Sequence, residues 1–215
     1  MKRGNLQGAA PNTLRNGLIL LVFVGVITAL LAAIFEVTQS VISQNEQQAK
    51  LALISQVLLP SSFDNDLLST GLSLPADEML GTLSPSRAWI AREHGRPTGL
   101  VLEAIARDGY GGEIALLIGI NTRGEITGVR VTRHHETPGL GDYIEIAKSH
   151  WILQFNGKSL TQPAETAWRV HQDGGGFDAR AGATLTPRAV VKAVKLALQY
   201  FLQHRLELLA MAVPT

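Results

Sequence analysis

The chain is 215 residues long and 46% hydrophobic, and its 19 basic and 18 acidic residues leave a formal net charge of +1. That length supplies one domain of ordinary size plus a short anchor, and the absence of any extended run of one sign argues against a nucleic-acid surface. There is no cysteine, which excludes a disulfide framework, cysteine-ligated zinc or iron–sulfur clusters and thiol catalysis; any redox chemistry needs a carried cofactor.

From Asn16 to Phe35 the chain runs for 20 residues without a charge. As a helix this run covers roughly 30 Å, the thickness of a bilayer core, and it predicts a transmembrane anchor over 16–36. Lys2, Arg3 and Arg15 precede it and no acidic residue does, so the positive-inside rule puts residues 1–15 in the cytoplasm and the remainder outside. A cleaved signal peptide is the competing reading. The run exceeds a usual signal core, and Leu31-Ala-Ala-Ile-Phe35 is a poor small-residue cleavage site, which favours a retained anchor.

Helical patterning continues to about Leu59, polar at Gln44-Asn-Glu-Gln-Gln48 and apolar again at Leu51-Ala-Leu-Ile54. It predicts a helical stalk over 37–60, stopped at Leu59-Pro60, with an outer domain over 61–215. Within that domain Leu100–Ala106, Ile114–Ile120 and Ile126–Thr132 read as strands. Asn121-Thr-Arg-Gly124 joins the last two as a hairpin, and Tyr110-Gly-Gly112 makes a flexible turn before the middle one.

After Thr186 the pattern is helical. Thr186 reads as the cap and Pro187 as the first helical residue. Arg188, Lys192, Lys195, Gln199 and Gln203 form a polar stripe, and Val190, Val191, Val194, Leu198, Phe201 and Leu202 form the face that packs on the sheet. The expected class is α+β: a small, mainly antiparallel sheet with flanking helices on a single N-terminal transmembrane helix.

Two segments carry candidate chemistry. His134-His-Glu-Thr-Pro-Gly-Leu-Gly-Asp142 follows a strand directly; Pro138-Gly139 fits the centre of a type II turn, and the glycines let the backbone approach a ligand closely. The paired histidines with Glu136 invite a metal reading, but the i, i+4 spacing of the helical zinc motif is missing, and neighbouring side chains on a strand point to opposite faces. No metal site is expected. The second segment, Gly174-Gly-Gly-Phe-Asp-Ala-Arg-Ala-Gly-Ala-Thr-Leu-Thr-Pro187, runs from a glycine-rich loop into a helix start. Gly182 and Ala183 leave room beside the Thr184 hydroxyl, and the helix N-terminus offers free N–H groups and a positive dipole end, the makings of a phosphate site.

Asp178-x-x-Ala-Gly-Ala-Thr184 resembles the flavinylation motif Asp-x-x-Ser/Thr-Gly-Ala-Thr, departing from it only at Ala181. Together with Gln56-Val-Leu-Leu-Pro60, Asp108-Gly-Tyr-Gly-Gly112, the 134–142 segment, Trp151, Asp173-Gly-Gly175 and Thr184-x-Thr-Pro-Arg-Ala-Val-Val191, it makes nearly the whole chain similar to the RnfG family, the G-type component of the Rnf electron-transport complex, also known from the SoxR-reducing complex. The resemblance implies a bacterial inner-membrane, single-pass phosphoprotein whose periplasmic domain carries FMN covalently on Thr184, joined there by a flavin transferase. It implies FMN contacts from Gly182, Ala183, Leu185 and Thr186, and from Glu136, Thr137, Gly139, Leu140 and Gly141. Its partners would be the other membrane subunits of an ion-translocating oxidoreductase, to which it passes electrons with no catalytic acid or base of its own. Three alternatives stand beside this reading. They are the corresponding flavoprotein of the sodium-pumping NADH:quinone reductase, whose outer domain is generally longer; a non-redox membrane scaffold or sensor using the glycine-rich loop to bind a partner; and a hydrolase built on His134 or His135, for which no activated nucleophile motif exists.

Overall fold

The computed structural model describes residues 10–58, 63–68 and 71–210, except for the side chains of 10–14, 37, 40–47 and 50. The chain divides into two units, Met1–Ala49 and Lys50–Thr215. A long helix, α1 (Ala10–Val57), belongs to both. Its segment Arg15–Glu36 is apolar and long enough to cross a membrane, and its large apolar side chains, Leu18 to Phe35, are exposed. That is the expected placement for side chains whose solvent is lipid rather than a protein core. The expected helix stop at Leu59-Pro60 lies outside the described residues.

The second unit is built on a five-stranded antiparallel meander in chain order: β1 (Gly71–Leu74), β2 (Ser86–Glu93), β3 (Arg96–Gly109), β4 (Gly112–Asn121) and β5 (Ile126–Arg133). Period-two alternation sorts its side chains onto two faces. Leu100, Leu102, Ala104 and Ala106 of β3, with Ile114, Leu116, Ile118 and Ile120 of β4, point to the larger core. That core is closed by the C-terminal helix α2 (Leu185–Ala210) and by the segment between β5 and α2, which coils through four short 3-10 turns. Phe155, Trp168 and Phe177 fill it there, with Phe177 within 5.0 Å of both other rings, centroid to centroid. Trp89, Val101 and Leu117 face the other way, onto Ile54, Val57, Leu58 and Leu67.

The last turns of α1 therefore form part of the second unit. Gly119 and Gly128 are register partners on β4 and β5, and together they leave a notch in the sheet for Val57. A β-carbon on Gly119 would stand 2.1 Å from the Val57 carbonyl oxygen, and one on Gly128 would stand 2.8 Å from Val57 Cα. The Thr127 hydroxyl donates to that same carbonyl, and Arg130 Nε donates to Gln56 Oε1 at 3.1 Å. An orphan carbonyl at the end of a helix is thus satisfied by a strand side chain.

On α2, Leu202 is exposed beside the β4–β5 turn instead of lying in the core face; the other five residues expected on that face are buried. Filling the notch is expected to unseat α1: Gly119→Ala should lower the unfolding free energy by about 1–3 kcal/mol, as overpacking does, seen as a lower urea midpoint in detergent.

Candidate functional site

At the exit of β5 the His134 ring pins the chain. Its Nδ1 accepts the Glu136 N–H at 3.0 Å, so Nε2 carries the ring hydrogen and donates to the Glu145 carboxylate. The chain then reverses at Thr137–Leu140. The N–H groups of Leu140 and Gly141 both donate to the Thr137 carbonyl, at 3.1 and 3.0 Å. Gly139 has φ +78, so Pro138-Gly139 occupies the centre of the type II turn expected from the sequence. Gly139 N–H donates to Asp142 Oδ1 at 2.8 Å.

The Glu136 side chain, only 5% exposed, ties two other segments to this turn. Its Oε2 accepts the Thr186 hydroxyl at 2.5 Å, and its Oε1 accepts the Gly111 N–H at 3.1 Å. Both contacts need glycine nearby. A β-carbon on Gly111 would lie 2.0 Å from the His135 carbonyl oxygen, and one on Gly141 would lie 2.7 Å from Glu136 Oε2. The turn at Tyr110–Gly112 is therefore a docked hairpin tip rather than a free loop.

On the opposite wall, the loop leading to α2 is held by its own backbone. Trp151 Nε1 donates to the Asp178 carbonyl at 2.6 Å, Gln154 Oε1 accepts the Asp178 N–H at 2.9 Å, and Gln172 Nε2 donates to the Ala179 carbonyl at 3.2 Å. The Tyr143 hydroxyl accepts the Arg180 N–H at 3.2 Å and donates to the Ala183 carbonyl at 3.4 Å. Burial raises the Tyr143 pKa above the usual phenol range, which keeps that donor protonated. The Arg180 guanidinium lies 4.6 Å from the centre of the same ring. Beyond it, Trp151 meets Tyr143 and Phe155 edge-on at 5.6 Å each, so the loop rests on the aromatic core.

α2 begins two residues earlier than the sequence indicates. Its first residue is Leu185, and Arg188 N–H donates to the Thr184 carbonyl at 3.2 Å, which makes Thr184 the N-cap. Thr186 is not the cap and Pro187 is not the first helical residue. The Thr186 hydroxyl is 1% exposed and committed to Glu136; proline is tolerated here because every first-turn N–H lacks an intrahelical partner. Arg188 forms a two-bond ion pair with Asp173, at 2.6 and 2.7 Å. These hydrogen bonds from Arg188 hold the Asp173 carboxyl below its ordinary range and fasten the glycine-rich loop to the helix.

The two walls enclose a cavity of about 170 Å³. It brings together Gly182, Ala183, Thr184, Leu185 and Thr186 with Glu136, Thr137, Leu140 and Gly141. Gly139 is left out, its N–H turned to Asp142, and Tyr110 is added. The Thr184 hydroxyl is half-buried at the mouth and makes no hydrogen bond among the described residues. A larger cavity of about 400 Å³, between β3 and α2, contains none of these residues. Among the described residues no group of three or more His, Asp or Glu is placed to hold a metal ion. Sequence patterns do not single out Tyr143, and they give Tyr110, Gly111 and Trp151 only as part of a resemblance. Taken alone, the density of glycine at the hairpin tip reads equally well as a turn.

The site is thus a small cavity at a helix N-terminus, backed by an antiparallel sheet and lined by a threonine whose hydroxyl makes no hydrogen bond among the described residues. Residues 109–199 match the FMN-binding domain family, and residues 1–57 match the RnfG N-terminal region. The G-type component of the ion-translocating oxidoreductase complex of Vibrio cholerae is 46% identical over 194 residues, covering 90% of this chain and 92% of that protein. The protein of the same name from Pseudomonas aeruginosa is 46% identical over 197 residues, 92% of each chain. That of Shewanella oneidensis is 44% identical over 195 residues, 91% of this chain and 92% of that protein. The chain belongs to this RnfG family of ion-translocating oxidoreductase components.

Thr186→Val keeps the shape of the side chain but strands a buried carboxylate oxygen. It should cost about 1–3 kcal/mol of stability, measured as a shift of the urea midpoint with an unchanged slope.

Proposed function

We propose that this chain is the electron-transfer flavoprotein of an ion-translocating oxidoreductase complex, and that it carries FMN through a phosphoester to Thr184. The observation behind this is the Thr184 hydroxyl itself, placed at the N-cap of α2 at the mouth of the cavity and making no hydrogen bond among the described residues. The residues present fit a phosphate there. The first-turn N–H groups of Leu185 and Thr186 have no intrahelical partner and face the N-cap, the helix dipole favours an anion, and Gly182 and Ala183 present no bulk. Attachment exchanges the threonine O–H for an O–P bond, the threonine oxygen displacing the leaving group of an activated flavin nucleotide held by a flavin transferase. A bound flavin supplies two-electron uptake and one-electron release.

The chain's own residues bind and orient. Glu136 holds the 134–142 turn against α2, the Thr137–Gly141 turn forms the wall facing Thr184, and Trp151 and Tyr143 keep the acceptor loop in place. No side chain here is required to move a proton. Ala181, exposed in the turn before Gly182, supplies no hydroxyl to the phosphate, so binding falls to the backbone N–H groups and Thr184.

With Lys2, Arg3 and Arg15 ahead of the apolar span and no acidic residue there, the N-terminus lies in the cytoplasm and the flavin domain in the periplasm of a bacterial inner membrane. A covalent bond is of use in that compartment, because a dissociated FMN could not be replaced from the metabolic pool. The partners are the other membrane subunits, between whose redox centres this domain passes electrons.

Co-expression with a flavin transferase should add one FMN to the intact mass and give in-gel flavin fluorescence, both abolished by Thr184→Ala. A colourless wild-type chain that still joins its membrane partners would instead support a scaffold. Thr186 is too buried to substitute as acceptor, so the loss in Thr184→Ala should be complete. Orientation is separately testable because the chain has no cysteine. Leu83→Cys, at a position 74% exposed in the outer domain, should react with a membrane-impermeant maleimide in cells with a permeabilised outer membrane; protection until the inner membrane is broken would reverse the assignment.

A further inference from the structure

The cavity beside Thr184 is small for the cofactor assigned to it. Sites that enclose ligands of this size usually measure about 300–1,000 Å³, whereas this one measures about 170 Å³. With the phosphate fixed at the N-cap, the ribityl chain and phosphate account for the space available, and the three-ring system must lie across the rim. That rim is apolar and exposed: it is formed by Tyr110, Leu140 and Leu185.

Tyr110 is unusual among these. Of the described aromatic side chains outside the membrane-spanning segment it is the one that is exposed, at 69%. The others are buried or partly buried. An aromatic side chain left in water on a mobile tip would be unremarkable, but this tip is fastened. Gly109 and Gly112 pair across it, Gly111 N–H is held by Glu136, and Gly111 is packed against the His135 carbonyl with no room for a β-carbon. The fold thus fixes the backbone that carries a flat ring at the edge of the cavity, and among the described residues no other ring packs over it.

We propose that Tyr110 is the stacking platform for the isoalloxazine ring, a positioning residue that sets the ring's orientation while Leu140 and Leu185 support its edge. This rests on FMN attachment at Thr184. Offset stacking of two flat π-systems is favourable beyond simple area burial, and a platform on one side leaves the other face of the ring open to a redox partner.

The test is time-resolved flavin fluorescence on the full chain, purified in detergent after flavinylation, as wild type, Tyr110→Phe and Tyr110→Ala. A phenol in contact with an excited flavin quenches it by electron donation, and a phenyl ring does not. Wild type should therefore show a dominant short lifetime. Tyr110→Phe should lengthen it several-fold at unchanged visible circular dichroism and anisotropy, and Tyr110→Ala should lengthen it and also weaken the visible dichroism. Because Tyr110 is exposed, far-ultraviolet dichroism and thermal midpoints should match wild type in both variants. If all three proteins carry the FMN mass increment but share one lifetime distribution, the stacking role is overturned and the attachment stands. If none carries the increment, the attachment fails, and the platform with it.

Discussion

Burying a carboxylate is costly unless each oxygen receives a donor, and among the described residues Glu136 forms no ion pair that would offset its charge. The donors come from two distant parts of the chain, the Thr186 hydroxyl and the Gly111 N–H. Hydrogen bonds to a charged group contribute roughly 1.5–3 kcal/mol each, enough to hold three segments that share no secondary structure. The rest of the site is set by this arrangement. Gly111 must lack a side chain so that the hairpin tip reaches the carboxylate, Gly141 must lack one so that the turn can pass over it, and α2 must start where it does for residue 186 to reach inward. Thr184 is then left at the N-cap, with its hydroxyl outside the network.

Strands were legible where an apolar run was long enough. β3, β4 and β5 were readable from residues 100–132, although β3 and β4 are buried on both faces over Gly99–Leu102 and Leu116–Ile120. β2 was missed because its buried apolar run is only Ala88-Trp-Ile-Ala91, set between Arg87 and Arg92. β1 is four residues long, too short to carry a pattern. The start of α2 was misplaced because Thr186-Pro187 is a good local start signal. It was overridden by a tertiary bond from Thr186 to a residue 50 positions away. Gly119 and Gly128 gave no warning that a helix end would dock on them, since a glycine inside a strand fits a bulge equally well.

The candidate site was legible as two separate segments but not as one place. Nothing in the spacing of residues 134–142 and 178–186 says that they face each other; the connection runs through the 3-10 turns that carry Tyr143 and Trp151, which sequence patterns treat as loop. Those two residues convert the aromatic core into support for the acceptor loop. Their hydrogen bonds go to its carbonyl and N–H groups, not to its side chains, so the loop's shape is specified through its backbone; Arg180 adds its contact with the Tyr143 ring and Ala179 packs against the core, while Ala181 is free in identity. The replacement at Ala181 of the hydroxyl residue usual in the family motif is therefore structurally inexpensive: its side chain is exposed and takes part in none of the bonds that shape the loop.

The small size of the cavity bears on why a covalent bond would be useful at all. A site of about 170 Å³ buries too little of a flavin to hold it by contact alone, since affinity must first overcome the lost freedom of the ligand. A deeper site would hold the cofactor without a bond, but it would wrap the ring and lengthen the path to any docked partner. On the proposed reading, the phosphoester at Thr184 removes the need for enclosure. The domain can then keep a rigid phosphate end, built on Glu136 and the start of α2, and an exposed ring end at Tyr110, Leu140 and Leu185. The same division explains why hydrogen bonds brace both walls of the cavity while its exposed apolar side chains stand at the rim.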